Sequence, residues 1–279
     1  MLIIKELTKK YGDLIAVNDL NLSIEKGEIF GLLGPNGAGK STTIRMISTL
    51  TPKTTGDIII NGKNMDRNLK EIKRKIGVVP QGNNLEVEMT AWENLELHGR
   101  LYNMPKDERR KRIKELLEFT ELTERANSFV KEYSGGMKRK VMIARALMHN
   151  PELLLLDEPT VGLDAVARRK MWDLIKRLKD EGLTVLLTTH YIEEAEVLCD
   201  RVGLIDDGRL IKLDAPKILI NNLGQYTVEY FKNGATQEEF FKTREEATTF
   251  ASKIEGNVKV RQSNLEDVFI KLTNRRVEV

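Results

Sequence analysis

The apolar positions of this chain change period several times, and each change predicts a change of element. The run Glu28 to Gly34, EIFGLLG, ends on glycine, and helix-like spacing follows from Ser41 to Leu50, closed by Pro52. This predicts strand, loop, helix. A second short strand ends at Val78 to Pro80, after which Thr90 and Glu93 form a capping-box pair and charged helical stretches run to about Glu121. Roughly Gln81 to Asn150 is therefore expected to be mostly helical. Strand signals return at Leu153 to Leu156 and at Thr184 to Thr188, on either side of the helical stretch Ala165 to Asp180. That β, α, β order predicts a parallel sheet. Val202 to Ile205 runs into Asp206, Asp207 and Gly208, a strand and its turn. Beyond Asn221 the pattern shifts again: TVEYF, EEFFK and VKVRQ read as short strands, and Thr243 with Glu246 and Ser263 with Glu266 as capping boxes of two helices. Residues 221–279 are expected to form a small α+β domain, packed on the rest because no long Pro/Gly linker intervenes.

Composition narrows the class. With 279 residues and 41% apolar content the chain reads as an ordinary soluble globular protein. No window approaches eighteen consecutive apolar residues, and MLIIKELTKKYGD becomes charged too soon for a signal peptide, so any service to a membrane is expected from outside the bilayer. The single cysteine, Cys199, excludes an internal disulfide and reads as a packing residue, which fits a reducing cytoplasm. A net charge of +3 from 45 basic and 42 acidic residues announces no nucleic-acid groove, and the run Arg109 to Arg112 reads as a solvated helix face.

Two glycine-flanked helix starts carry the chemistry. Helix N-termini expose unpaired N–H groups and partial positive charge, and glycine lets backbone approach phosphate oxygens. The first start, Gly34, Pro35, Asn36, Gly37, Ala38, Gly39, Lys40, Ser41 and Thr42, matches the P-loop pattern. In it backbone N–H groups cradle phosphates, Lys40 reaches the β and γ phosphates, and the Ser41 hydroxyl ligates Mg²⁺. Four leucines, Leu153 to Leu156, then deliver Asp157 and Glu158 to the carboxyl end of a buried strand, where ligands bind in open α/β sheets. Asp157 is expected to hold Mg²⁺, and Glu158 to take a proton from attacking water. The second start is Ser134, Gly135 and Gly136, with Ser134 as N-cap. One nucleotide rarely needs both, so the second suggests a phosphate site completed by another copy or a close relative.

YSGGMKRK at Tyr133 to Lys140, followed by LLLLDEPT and then GLD, resembles the ATP-binding cassette (ABC) ATPases over residues 1 to about 220. The resemblance implies a P-loop NTPase of the ABC type. It has a RecA-like core with a mainly parallel sheet, an antiparallel β subdomain and a helical subdomain at about 82–150, here followed by the small C-terminal domain. It implies that Tyr11 stacks on adenine, that Gln81 is the Q-loop glutamine contributing to catalysis and to the metal site, that Asp164 belongs to the D-loop, and that His190 is the switch histidine. Read locally, Tyr11 also suits a sheet edge, Gln81 a turn after Pro80, and His190 a core position. In the family two ATPase units face head to tail, the SGG of one closing over the γ-phosphate held by the other. The usual LSGGQ is replaced here by Tyr133 and Met137 at its first and fifth positions, with the serine and both glycines intact.

YSGGMKRK together with SNLEDVF at Ser263 to Phe269 resembles the drug-resistance exporter branch, although SNLEDVF is also explained as a packed terminal helix. The expected function is thus an ATPase subunit at the cytoplasmic face of the membrane. It would use ATP and Mg²⁺, pair with a second ATPase subunit, most simply a homodimer, and drive a separately encoded transmembrane permease, with no nucleic acid as partner. The permease would dock near Asn83 to Asn103, where Trp92 fits either that contact or the core. The alternative is a soluble cassette ATPase acting on nucleic acid or ribosomes. A P-loop kinase or GTPase is disfavoured because no guanine-reading NKxD is present and SGG would have no role.

Overall fold

The computed structural model describes residues 1–232 and 234–273. Its centre is a six-stranded sheet with spatial order Arg209–Asp214, Arg201–Asp206, Ile29–Leu33, Thr184–Thr189, Leu153–Asp157 and Ile76–Val79. All neighbours are parallel except the first pair, an antiparallel hairpin. The three central strands are buried at every position, as near-continuous apolar runs are when a parallel sheet is covered on both faces.

Side-chain alternation sends successive leucines to opposite layers. Leu154 and Leu156 join a cluster with the helices Gly135–Leu147, Ala165–Asp180 and Ile192–Leu198. Leu153 and Leu155 join a second cluster with the helix Lys40–Ile47 and an antiparallel sheet. That sheet has the order Leu14–Ile24, Leu2–Tyr11, Thr55–Ile60, Lys63–Asn64. Between the central strands Ile76–Val79 and Leu153–Asp157 lie the helices Ala91–Leu101, Lys106–Phe119 and Gly135–Leu147. The first of these is opened by the expected capping box: Thr90 Oγ1 accepts from Glu93 N, and the Glu93 carboxylate accepts from Thr90 N. Trp92 is half-buried and packs against the helical cluster.

Several boundaries differ from the sequence expectation. The helix after the phosphate loop ends at Ile47 rather than Leu50, because Thr49 turns to a φ of 64°. Arg109 to Arg112 is not a solvated face throughout. Arg109 is buried and forks onto Glu96, with its remaining nitrogen donating to Met104 O, while Arg112 donates to Leu147 O. The last helix, Leu265–Thr273, is not capped by Ser263 and Glu266. Asn264 and Asp267 cap each other reciprocally at that turn, and Ser263 is instead buried against Thr227 Oγ1. The register slips by one because Asp267 is also needed by Arg261, which holds it with two nitrogens.

Past residue 224, the strands Ala235–Phe241, Tyr226–Lys232 and Val258–Gln262 form a three-stranded antiparallel sheet, crossed by the helix Arg244–Ala251. It is joined to the centre through the final helix: Leu265, Val268 and Phe269 enter the main cluster, and Leu265 N donates to Glu196 Oε1 at 2.7 Å. SNLEDVF is therefore structural, as its spacing indicated. Cys199 is buried in the same cluster, with burial raising its thiol pKa.

The Arg109 fork holds the Glu96 carboxyl at a pKa of about 2, assisted by Arg100. A carboxyl depressed below its ordinary range contributes stability that is fully present above that range and is lost as pH falls towards about 2. Glu96→Gln should lower the melting temperature at neutral pH, and the gap from the unaltered protein should close in titrations carried down to that acid range.

Candidate nucleotide site at the carboxyl edge of the sheet

Register decides where the site lies. Leu33 pairs with Thr189 and Asp157 with Thr188, so three buried strands end side by side. Their last residues hand over to Gly34, to Glu158 and to His190 at one edge of the sheet. A Cβ on Gly34 would lie 2.1 Å from Ile205 O, so only glycine permits the loop to leave its strand against the neighbouring one.

The loop curls so that Gly39, at a φ of 99°, becomes the N-cap of Lys40–Ile47 with no side-chain cap. A Cβ there would sit 2.4 Å from Ala16 O. Lys40 folds back over the loop, donating to Gly34 O at 2.8 Å and Pro35 O at 3.1 Å, with its ammonium 3.3 Å from Glu158 Oε1. The other Glu158 oxygen meets His190 Nδ1 at 2.8 Å. Both Lys40 and Glu158 are about 5% exposed, so a buried cation and carboxylate continue into the partly buried imidazole of His190.

Asp157 lies alongside. Its Oδ1 accepts from Ser41 Oγ at 2.9 Å and from Thr188 Oγ1 at 2.7 Å. Thr188 also holds Glu158 N through its hydroxyl at 3.1 Å and its carbonyl at 3.2 Å. Asn36, Gly37, Gly39, Lys40, Ser41, Thr42, Gln81 and Glu158, with Ala16, line one cleft of about 150 Å³. Ala38 is buried beneath it, its carbonyl accepting from Gly208 N. Gln81 is exposed at the rim. Tyr11 is not among the lining residues; it is 45% exposed at the end of its strand, with Lys9 Nζ 4.6 Å over its ring.

The second helix start is elsewhere. Ser134 caps Gly135–Leu147 by accepting from Met137 N, and Asp164 caps Ala165–Asp180 by accepting from Val166 N and Ala167 N. Ser134, Gly136, Met137, Lys140, Asp164 and Ala167 share a separate cleft of about 530 Å³. A Cβ on Gly136 would come within 3.3 Å of Ala167 Cβ, a close contact between the two helix starts. Apart from Tyr11, which lines neither cleft, the residues singled out in the sequence fall into two sets, one around Lys40 and one around Ser134, on the same chain.

The sequence reading passed over three residues near these sets. Thr188 was visible only as a strand residue. Arg139 is buried, with burial lowering its pKa against the opposing pull of the Asp157, Glu194 and Glu158 carboxylates. Glu194 is wholly buried, accepting from Thr160 Oγ1 and Trp172 Nε1, and burial raises its pKa. A charged letter in a helical stretch reads as solvated until its neighbours are placed.

Comparison with known proteins identifies the family. The family model described as ABC transporter matches residues 17–161. The linearmycin resistance ATP-binding protein LnrL of Bacillus subtilis is 46% identical, across 82% of this chain and 73% of that protein. The chain belongs to the ABC transporter family. Nod factor export ATP-binding protein I of Cupriavidus pinatubonensis is 39% identical across 98% of this chain and 91% of that protein. Among solved structures, the ATP-binding cassette MJ0796, a dimer in a post-hydrolysis state bound to ADP and Pi, aligns with a TM-score of 0.69 and 36% identity. The alignment covers 77% of this chain and 98% of that one. The P-loop ABC fold expected from the sequence is the fold observed, and the chain is an ATP-binding ATPase of this family. No helix among the described residues is long and apolar enough to cross a membrane.

Gly39→Ala should fold but lose nucleotide affinity by at least about tenfold, because it strains both the left-handed N-cap and the contact with Ala16 O. Fluorescent-nucleotide titration beside a thermal melt separates that outcome from unfolding.

Proposed function

We propose that this ABC ATPase drives a membrane exporter through a separately encoded transmembrane permease, acting as a head-to-tail dimer of two copies at the cytoplasmic face of the membrane. The observation that carries the reading is the pair of separate clefts, each at a helix N-terminus suited to phosphate and each in the same chain. A lone chain uses one of them for its own nucleotide. The other is accounted for when it is presented to a partner. The names of the relatives, one for linearmycin resistance and one for Nod factor export, support the exporter assignment. Residues 1–220 would form the nucleotide-binding domain, with the helical subdomain at about 82–150, and residues 221–279 the small C-terminal domain. The permease would dock near Asn83 to Asn103.

In this reading the loop amides of Gly34 to Thr42 hold the phosphates, and Lys40 turns from its own carbonyls towards the β and γ oxygens. The Ser41 hydroxyl and Asp157 carboxylate, 2.9 Å apart, form an oxygen donor set that fits Mg²⁺, with Gln81 at the rim as a further oxygen ligand. Magnesium would neutralise charge on the phosphates. Glu158 accepts the proton of the attacking water, and His190, hydrogen-bonded to its carboxylate, fixes the orientation. Tyr11 offers an exposed ring for adenine to stack on. Ser134, Gly135, Gly136 and Asp164 serve the nucleotide of the opposite copy.

Glu158→Gln should retain ATP binding, lose about 10² to 10⁴ in turnover and accumulate as an ATP-bound dimer on size exclusion. Normal turnover would remove the assigned role. Ser134→Arg damages the site of the opposite copy, whereas Lys40→Ala damages its own. A mixture of the two chains should therefore regain one intact site per heterodimer and exceed either variant alone in ATPase rate. Co-purification with a membrane protein, rather than nucleic acid, tests the partner assignment.

A further inference from the structure

Arg139 lies in the second turn of the helix that Ser134 caps and is 6% exposed. A buried guanidinium is costly unless its donors are satisfied, and here backbone carbonyls satisfy them. Nε donates to Pro159 O at 2.8 Å, Nη2 to Glu158 O at 2.5 Å and more weakly to Asp157 O at 3.4 Å. Nη1 donates to Pro80 O at 2.6 Å, with Gln81 O at 3.4 Å. The acceptors thus belong to two segments far apart in sequence, one leading into Gln81 and the other carrying Glu158. A planar fork can span both; a single ammonium has neither the reach nor the geometry.

What the fork holds is an unusual backbone. Glu158 has a φ of 50°, in the left-handed region that a residue with a Cβ avoids. Its N–H is fixed by Thr188 from one side, and its carbonyl, with that of Pro159, by Arg139 from the other. Both peptide planes flanking Glu158 are therefore anchored, which aims its carboxylate at Lys40 and His190.

We propose that Arg139 is a positioning residue for ATP hydrolysis, tying the segments that carry Gln81 and Glu158 to the helix that begins at Ser134. The proposal rests on the roles assigned above to Gln81 and Glu158. A displacement of that helix moves both residues together, so contact at the Ser134 end is felt at the attacking water without passing through the nucleotide.

The test compares purified Arg139→Lys, which keeps the charge and loses the fork, with Arg139→Gln, which keeps a planar donor, by melting temperature, ATP affinity and steady-state ATPase kinetics. Arg139→Lys should lower kcat by about 10- to 100-fold, the scale of a 1 Å misplacement, while the Kd for ATP stays within about twofold. Arg139→Gln should fall between it and the unaltered protein. In a double-mutant cycle, Arg139→Lys combined with Gln81→Ala should lose less than the product of the two single losses, since both act on one arrangement. Unaltered kcat in both Arg139 variants overturns the proposal, as does loss of ATP affinity in step with loss of rate, or a fully multiplicative cycle. Glu158→Gln is measured in parallel. If it hydrolyses normally, the assignment of Glu158 itself has failed, whereas a stalled Glu158→Gln beside fully active Arg139 variants rejects only the role of Arg139.

Discussion

Three buried strands of the central sheet end at the same level, and that register is the constraint on which the site depends. Leu33, Asp157 and the Thr188–Thr189 pair are neighbours across two parallel ladders. A slip of one residue in either ladder would turn Asp157 to the wrong face and carry Glu158 out of reach of Lys40. The register is secured by burial: Leu153 to Leu156 divide between two apolar layers, so a slipped strand would exchange every contact on both. Core packing and the geometry of the proposed site are here one requirement.

The buried charges follow from that placement. Lys40, Glu158, Asp157, Arg139 and Glu194 are all largely removed from solvent within a small volume. Isolated, each would be expensive; together they are neutralised in pairs or bonded to carbonyls and hydroxyls. The polar cluster is conditional on the strand ends staying adjacent, because no member carries a complete set of partners from its own segment.

This division explains what was legible in the sequence. The helix Ala165–Asp180 and the strand Leu153–Asp157 were visible because local period and cap residues agree with the tertiary result. The glycine-rich loop and the Asp157–Glu158 pair, whose roles remain part of the proposal, were visible as motifs because each is a run of contiguous residues. Arg139 and Glu194 were not, since the carbonyls that hold Arg139 lie 18 or more residues away and Thr160 and Trp172, which donate to Glu194, lie 34 and 22 residues away, and nothing local marks a charge as buried. The capping of the last helix was misplaced by one residue for the same reason: two competing boxes overlap at Ser263 to Asp267, and Arg261 decides between them.

The way Lys40 rests has a consequence for selectivity. Its ammonium is already solvated internally by Gly34 O, Pro35 O and Glu158 Oε1. Any anion that draws it away competes with two carbonyl dipoles and a full negative charge rather than with water. An anion of single charge offers less in exchange than a polyphosphate, which concentrates several charges at the loop. On the proposed role of Lys40, the glycine-rich turn would therefore discriminate by charge density before any part of the base is recognised.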